Sequence, residues 1–274
     1  MRIVRTVADG RAALAPARTA GRRIGLVPTM GAFHAGHLAL LRAARAGSDF
    51  VVVSLFVNPS QFDETGDLER YPRDEAADTA HAEREGIDLL FVPSATEMYP
   101  PGFDTWVDPG SLGEILEGAA RPGHFRGVAT VCTKLFTIVA PQAAWFGQKD
   151  AQQVAVVRRT VADLDLPVEI VAVPTARDAD GLALSSRNRF LSAEQRIAAL
   201  ALPRALEAGH EAAGASRDPV EAAAAVLAME PALHVEYVAV AAFDVPTLVA
   251  AVRVGETRLI DNVRLPDAGS DVAR

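Results

Sequence analysis

Two histidines, three residues apart, lie in a glycine-containing segment whose composition suits the binding of a phosphate. Residues 28–37 read PTMGAFHAGH, with His34 and His37 near the end. The segment lies between an apolar, strand-like run and a helical pattern, so its backbone N–H groups would carry the partial positive charge of a helix N-terminus. Glycine lets the backbone approach a ligand closely because it has no Cβ. We predict a phosphate site here, and a metal-binding pair or two surface histidines are the alternatives.

Two neutral amide side chains follow a second strand-like run. Asn58 and Gln61 come directly after the apolar residues 50–57, and Pro59 between them is expected to end the strand and fix a turn. Neutral amides at this edge could hydrogen-bond a polar ligand without forming an ion pair with it. The alternative for Asn58 and Pro59 is a turn without a functional role.

One of the chain's two lysines follows a third strand-like run. Of 27 basic residues only Lys134 and Lys149 are lysines, which favours a need for a compact point charge at these positions. A lysine at the end of the run over 143–146 could neutralise charge on a phosphoryl group during its transfer. Asp150 could cap the following helix, and Gln153 lies one turn further on. An exposed lysine without a role is the alternative.

The pattern of elements places these three groups at one edge of a sheet. Strand-like runs alternate with helical segments through the first 175 residues, which predicts a parallel α/β sheet covered on both faces. Ligands bind outside the carboxyl ends of such strands. Beyond residue 175 we predict a smaller α+β region with helices over 192–208 and 218–229 and strands over 234–240 and 257–260.

Composition excludes several classes of protein. The net charge of −8 argues against a broad nucleic-acid interface, which normally needs a basic surface. Cys132 is the single cysteine, so neither a disulfide framework nor a cysteine-based zinc site is expected. The longest apolar stretches are too short for a membrane helix, and the N-terminus lacks the apolar core of a signal peptide. We therefore expect a soluble protein of a reducing compartment without nucleic-acid or membrane partners.

Seven segments together resemble one known family in their sequence and their order. The first resembles the motif PTMGALHxGH of the pantoate–β-alanine ligase (pantothenate synthetase) family, and the resemblance continues through most of the chain: residues 28–37, 56–62, 71–73, 117–118, 121–128, 146–153 and 177–188. It implies a Rossmann-like parallel sheet domain of the HxGH nucleotidyl transferase type over residues 1–175. A smaller C-terminal α+β domain over residues 176–274 would close over the ATP site.

The resemblance also implies an activity. Members condense (R)-pantoate with β-alanine at the expense of ATP and Mg²⁺, through a pantoyl-adenylate intermediate, and release AMP and pyrophosphate. They are expected to be cytoplasmic homodimers. The alternatives are another HxGH-type adenylyltransferase, a class I aminoacyl-tRNA synthetase, or a nucleotide sensor of the same fold that lacks catalysis.

Roles for individual residues follow from the resemblance. It implies that His37, His34 and Lys149 are catalytic. The implied ATP-binding residues are Met30, Gly31, Ala32, Phe33, His34, Ala35, Gly36, His37, Gly147, Gln148, Lys149, Asp150, Ala176, Leu184, Ser185, Ser186 and Arg187. The implied pantoate-binding residues are Gln61, Gln153, Asn58, Pro28 and Thr29. Asp78 falls at the position that the family associates with Mg²⁺, although a solvated helix face explains its charge equally well.

Overall fold

The computed structural model describes residues 1–62, 68–69 and 71–266. The chain divides into two compact units, one formed by residues 1–148 and 152–174 and the other by residues 149–151 and 175–274. Within the described part of the chain, no helix combines the length and apolar character needed to cross a bilayer.

The first unit is built on a sheet of six parallel strands. In chain order these are β1 (Arg2–Val4), β2 (Ile24–Thr29), β3 (Phe50–Leu55), β4 (Leu89–Phe91), β5 (Ala143–Gly147) and β6 (Glu169–Val173). Their order across the sheet is β1-β4-β3-β2-β5-β6, and every neighbouring pair is parallel. The predicted parallel α/β architecture is confirmed, with the apolar run at β3 as an interior strand.

Helices cover both faces of this sheet because its strands are apolar on both sides. The helices of the unit are α1 (Val7–Thr19), α2 (Ala35–Ala46), α3 (Glu75–Arg84), α4 (Ala95–Met98), α5 (Glu117–Ala120), α6 (His124–Val139) and α7 (Ala151–Asp163). Leu26 and Val52 face one apolar cluster, which includes residues of α1 and α6, whereas Val51 and Val53 face another with residues of α2 and α3.

The strand order reverses beside β2, which lies between β3 and β5. From β2 the chain adds β3 and then β4 on one side, and it later adds β5 and β6 on the other side. The loops that leave β2 and β5 must therefore diverge, and the crevice between them is where open α/β sheets bind ligands. The segments that the sequence singled out leave β2, β3 and β5 at this edge.

The second unit packs helices α8 (Ala193–Ala199), α9 (Ala201–Gly214) and α10 (Pro219–Ala228) with an antiparallel sheet of β7 (Leu233–Ala242), β8 (Pro246–Val254) and β9 (Thr257–Arg264). The α+β class is confirmed, but two details differ from expectation. The single helix predicted over 192–208 is divided at Leu200, and β8 was missed. Residues 248–252 of β8 are all buried, so this strand has no polar alternation to reveal it.

Two elements at the N-terminus were also missed. Strand β1 has only three residues, which is too short for a recognisable pattern. Helix α1 contains Pro16 and Gly10, both of which oppose helix formation.

Candidate active site

Residues 30–37, which we call the histidine loop, connect β2 to α2 in a backbone shape that requires glycine. Gly31 has a φ of +90°, and a Cβ there would lie 2.7 Å from Leu55 Cδ1 and 2.8 Å from Asp78 Oδ2. Ala32 also has a positive φ, of 55°. Because a non-glycine residue adopts this conformation only at an energetic cost, other contacts must hold the loop in place.

A buried carboxylate provides those contacts. Asp78 of α3 accepts hydrogen bonds from the backbone N–H groups of Ala32, at 2.9 Å, and Phe33, at 2.7 Å, through its two separate oxygens. Its residue exposure is 2%, so the alternative of a solvated helix face is wrong. The two N–H donors compensate for the burial of the charge. The predicted contact of Asp78 with Mg²⁺ stays a prediction, and both oxygens already bind the loop.

The two histidines bind the backbone at the start of α2. His34 is the N-cap, and its Nδ1 accepts from the N–H of Gly36 at 3.1 Å. The Nδ1 of His37 accepts from the N–H of His34 at 3.3 Å, and the two ring centroids lie 4.2 Å apart. A neutral imidazole that accepts at Nδ1 carries its proton at Nε2. Each ring is therefore fixed as an Nε2–H donor.

This arrangement disfavours the alternative of a metal-binding pair. Each histidine uses one ring nitrogen to cap the helix, and the described residues contain no group of three or more histidine, cysteine or acidic side chains that could hold a metal ion. A helix N-terminus with two added N–H donors is instead suited to a phosphate.

Residues 58–61, which we call the amide turn, follow β3 as a short 3₁₀ turn over Pro59–Gln61. Helix α6 lies directly against it, because a Cβ on Gly127 would be 2.3 Å from the carbonyl oxygen of Ser60. The side chain of His124, also on α6, bonds the carbonyl oxygen of Gln61 at 2.8 Å. Asn58 and Gln61 are consequently buried, with exposures of 1% and 8%.

The amide turn and the histidine loop touch each other through side chains. Gln61 Nε2 lies 3.2 Å from the sulfur of Met30, and Gln61 Oε1 accepts from Asn58 Nδ2 at 3.0 Å. The hydroxyl of Tyr99 donates to Asn58 Oδ1 at 2.8 Å. Burial raises the pKa of the Tyr99 hydroxyl above its ordinary value, so this group remains a donor at neutral pH.

Other predicted residues of the first unit lie in β2, at the end of β5 and on α7. Thr29, at the end of β2, donates its hydroxyl to the carbonyl oxygen of Ser54 at 2.7 Å and so joins the ends of β2 and β3. Four further positions are half-buried: Pro28 in β2, Gly147 and Gln148 at the end of β5, and Gln153 on α7.

Lys149 belongs to the second unit. Its backbone carbonyl accepts from Asn262 Nδ2 of β9 at 2.8 Å, and its Nζ lies 3.7 Å from Asp150 Oδ1. The lysine side chain is only 19% exposed, so the alternative of an ordinary surface lysine does not describe it. Asn262 was not predicted, because its contact joins residues 113 positions apart.

Residues 176–187, which contain the predicted ATP-binding residues of the second unit, are held by ion pairs near their start. Arg177 makes a two-pronged ion pair with the buried Asp261 of β9, at 2.6 and 3.1 Å, and Arg196 contacts the carboxylates of Asp178 and Asp180. Within the segment, the N–H of Leu184 bonds the carbonyl oxygen of Ala176 at 2.9 Å. Ser185 caps the 3₁₀ turn Ser186–Phe190 by accepting from Arg187 N–H at 3.2 Å.

Cys132 lies within α6 and is buried. Burial raises the pKa of its thiol to about 12. The thiol is therefore protonated at neutral pH and is not an activated nucleophile.

Comparison with known proteins identifies the family. The Pantoate-beta-alanine ligase family model matches residues 2–264. The pantothenate synthetase of Agrobacterium fabrum is 53% identical, with 96% of this chain and 95% of that protein covered. The enzyme of Roseiflexus castenholzii is 52% identical, over 96% and 98% of the two chains.

Solved structures agree with the sequence comparison. The crystal structure of pantothenate synthetase from Thermus thermophilus has a TM-score of 0.89 and 48% identity, and the match covers 97% of this chain and 100% of that one. The pantoate–β-alanine ligase of Francisella tularensis, solved in complex with Beta-gamma ATP and Beta-alanine, has a TM-score of 0.82 and 32% identity over 96% and 97% of the chains. With its parallel sheet, histidine loop and amide turn, the chain therefore belongs to the pantoate–β-alanine ligase family.

Proposed function

We propose that this enzyme condenses pantoate with β-alanine in two steps driven by ATP. In the first step a pantoate carboxylate oxygen bonds to the α-phosphorus of ATP. The bond between this phosphorus and the oxygen that bridges it to the β-phosphate breaks, and pyrophosphate is released. In the second step the β-alanine amine attacks the acyl carbon of the adenylate. The new C–N bond replaces the bond to AMP, and the attacking –NH2 group loses one proton to solvent and keeps the other as the amide N–H.

The observation that carries this proposal is the pair of histidines whose side chains cap the start of α2. Both Nδ1 atoms accept backbone N–H groups, which leaves Nε2–H as the donor on each ring. Fixed N–H donors stabilise negative charge that develops on transferring phosphoryl oxygens, and they need no reorganisation during the reaction. We assign His34 and His37 to the triphosphate for this reason.

Lys149 is assigned to the α-phosphoryl group. Its backbone is anchored to Asn262, and its side chain is largely buried, so the ammonium has limited freedom. A positioned ammonium can neutralise the charge that builds up on the phosphorus oxygens as the carboxylate attacks. Backbone and side-chain donors of Ser185, Ser186 and Arg187 would bind the remaining phosphate oxygens as the smaller unit closes.

Pantoate is assigned to the neutral side of the site. Gln61 and Gln153 would bind it, with Asn58, Pro28 and Thr29 in the wall of the same site. The Gln61 amide supports this assignment because its amino group faces the Met30 thioether, a weak acceptor that a substrate oxygen can replace. The side chains of Gln61, Asn58 and Thr29 carry no charge, so none of them forms an ion pair that would compete for the attacking carboxylate.

The described side chains do not form a magnesium cage of their own. Among them no group of three or more histidine, cysteine or acidic side chains could hold a metal ion, and both oxygens of Asp78 accept from the histidine loop. We therefore treat Mg²⁺ as part of the substrate, Mg-ATP, because this ion is commonly held through substrate phosphates.

The test is pantoate-dependent exchange of labelled pyrophosphate into ATP, with β-alanine absent. We expect exchange that requires pantoate, followed by production of AMP and pantothenate when β-alanine is added. A folded protein that binds ATP but shows no exchange with pantoate would contradict the adenylate mechanism.

Lys149→Ala sharpens the same experiment. Because the ammonium is proposed to act on the phosphoryl group, we expect the exchange rate to fall by about a hundredfold or more. The melting temperature should stay close to that of the unmodified enzyme, and Arg11→Ala, which removes an exposed cation of α1, serves as the control. Near-normal exchange by Lys149→Ala would contradict the assigned role.

A further inference from the structure

A chain of buried hydrogen bonds leads from Tyr99 through Asn58 to Gln61. The Tyr99 hydroxyl donates to Asn58 Oδ1 at 2.8 Å, and Asn58 Nδ2 donates to Gln61 Oε1 at 3.0 Å. Tyr99 lies 41 residues from Asn58 in sequence, just beyond α4. Its role in the site is therefore visible only in the folded protein.

Two backbone groups decide which way the Asn58 amide is turned. The N–H of Ser60 can only donate, and it points at Asn58 Oδ1 at 3.3 Å. The carbonyl oxygen of Gly127 can only accept, and it receives Asn58 Nδ2 at 3.2 Å. These obligatory partners fix the oxygen of the Asn58 amide towards Ser60 and the nitrogen towards α6.

The orientation of Gln61 follows from that of Asn58. The second hydrogen of Asn58 Nδ2 needs an acceptor, so Gln61 must turn its oxygen towards Asn58. Its amino group is then directed the other way, to the sulfur of Met30 at 3.2 Å. A reversed Gln61 amide would place two amino groups face to face and leave a buried donor without an acceptor, which is unfavourable.

Tyr99 strengthens the fixed end of this chain. Asn58 Oδ1 receives the Tyr99 hydroxyl and the Ser60 hydroxyl, each at 2.8 Å, and the two hydroxyls lie 3.1 Å apart. The Tyr99 ring packs against Phe56 and Phe103, with ring centroids 6.2 and 5.0 Å away. The phenol is thus an aligned donor whose ring is held by aromatic neighbours.

We propose that Tyr99 is a positioning residue which, through Asn58, keeps the amino group of Gln61 directed at the substrate. Gln61 then selects a hydrogen-bond acceptor on pantoate and disfavours a donor at the same place. Asn58 contributes by orienting Gln61, because both ends of its own amide are occupied by protein groups. This inference rests on the proposed pantoate site and adds to it the residues that set the polarity of Gln61.

The main test is a double-mutant cycle on the Michaelis constant for pantoate. We expect Tyr99→Phe, which removes only the hydroxyl, to raise this constant about fivefold, as one lost buried hydrogen bond would, with little change in kcat or in the Michaelis constant for ATP. In a Gln61→Ala background, where no amide remains to be oriented, the same change should have almost no effect. Phe103→Leu, which perturbs the aromatic packing of Tyr99 without removing a hydrogen bond, is the matched control.

Asn58→Asp provides a second, independent test. Aspartate has nearly the same shape but no amino group, so Gln61 would have to turn its own amino group towards position 58 to form a hydrogen bond. Gln61 would then present its oxygen to the substrate, and we expect the Michaelis constant for pantoate to rise more than it does in Tyr99→Phe. Combining Asn58→Asp with Gln61→Ala separates this effect from repulsion by the new charge: a rise that persists without Gln61 comes from the charge and would contradict the orienting role of Asn58. Circular dichroism and melting temperature would establish that the variant is folded.

The outcomes separate this inference from the proposed function. If the unmodified enzyme shows no pantoate-dependent exchange, the proposed function fails. If it shows exchange and Gln61→Ala weakens pantoate use, but Tyr99→Phe has the same effect with or without Gln61, Tyr99 acts independently and the positioning role is overturned. Equal effects of Tyr99→Phe and Phe103→Leu would also overturn it, because packing alone would then explain both.

Discussion

The histidine loop and the amide turn leave neighbouring parallel strands, yet they are held by opposite means. A buried carboxylate holds the backbone of the histidine loop, whereas the side chains of the amide turn bond neutral groups and its backbone accepts from Arg121 at the carbonyl oxygen of Gln61. The loop has residues with positive φ, which need external support. The turn is a regular 3₁₀ turn that begins with a proline.

The difference matches the charges that the two segments are proposed to meet. The histidine loop offers N–H groups and a helix N-terminus to a polyanion, and Asp78 compensates by binding amides on the inner side of the loop. The four residues of the amide turn carry no formal charge. A carboxylate beside them therefore forms no ion pair with their side chains that would lower its nucleophilicity. Neighbouring strands can therefore support a charged and an uncharged half of one site, provided that each half has its own buried partners.

The largest effect is expected from a change that removes one imidazole donor and keeps the loop. In His37→Asn the new Oδ1 can take the place of Nδ1 and accept from the N–H of His34, while the Nε2–H donor is lost. We expect the rate of pyrophosphate exchange to fall about a hundredfold, as for other lost transition-state donors. The Michaelis constant for pantoate and the melting temperature should be little changed. Normal exchange would remove His37 from the phosphate site.

Introducing a charge into the amide turn tests the neutral half. Gln61→Glu keeps an oxygen for Asn58 but places a second oxygen, with its negative charge, where the amino group was. Repulsion between two carboxylates in a partly desolvated site should raise the Michaelis constant for pantoate about fiftyfold. The Michaelis constant for ATP should change little, and Gln61→Ala is the uncharged control. An equal loss in the glutamate and alanine variants would show that charge is unimportant here.

A smaller effect is expected when the support of the histidine loop is weakened. In Asp78→Asn one of the two loop N–H groups would face an amino group and lose its acceptor. We therefore expect kcat/KM for ATP to fall about tenfold and the free energy of unfolding to fall by about 1–3 kcal/mol. Urea unfolding and steady-state kinetics would measure both.

Magnesium dependence provides the control for Asp78→Asn. If Asp78 acts on the loop, the Mg²⁺ concentration that gives half-maximal rate should be unchanged. A large increase in that concentration would instead support the metal contact predicted from the resemblance.

The smallest effect is expected at Cys132. Because burial raises the pKa of this thiol to about 12, it should not react with a thiol reagent at pH 8 in the native enzyme and should react fully after denaturation. Cys132→Ala should retain catalysis. Rapid labelling of the native protein with loss of activity would contradict the assignment of catalysis to the histidine loop and Lys149 without a covalent nucleophile.

Sequence alone could predict a candidate site because the signals for it are local. The histidine, amide and lysine segments each follow an apolar strand, and parallel strands bring their carboxyl ends to one edge. The same local signals could not distinguish a buried Asp78 from a solvated one, since burial depends on how α3 packs against the loop. They also missed Tyr99, whose partner lies 41 residues away. The homodimer, the magnesium contact and the closure of the smaller unit stay predictions.

Two successive residues of β9 hold the two predicted ATP-binding segments of the smaller unit. Asp261 holds Arg177, which precedes the Leu184–Arg187 stretch, and Asn262 holds the carbonyl of Lys149. The backbone at Lys149 and the serine-containing stretch are therefore both held by β9, although Leu184 lies 35 positions after Lys149 in the sequence. An insertion or deletion in the β8–β9 hairpin that shifts the register of β9 would displace both together. Variants designed from this enzyme should therefore preserve the lengths of β9 and of the β8–β9 hairpin as well as the residues proposed to contact the substrate.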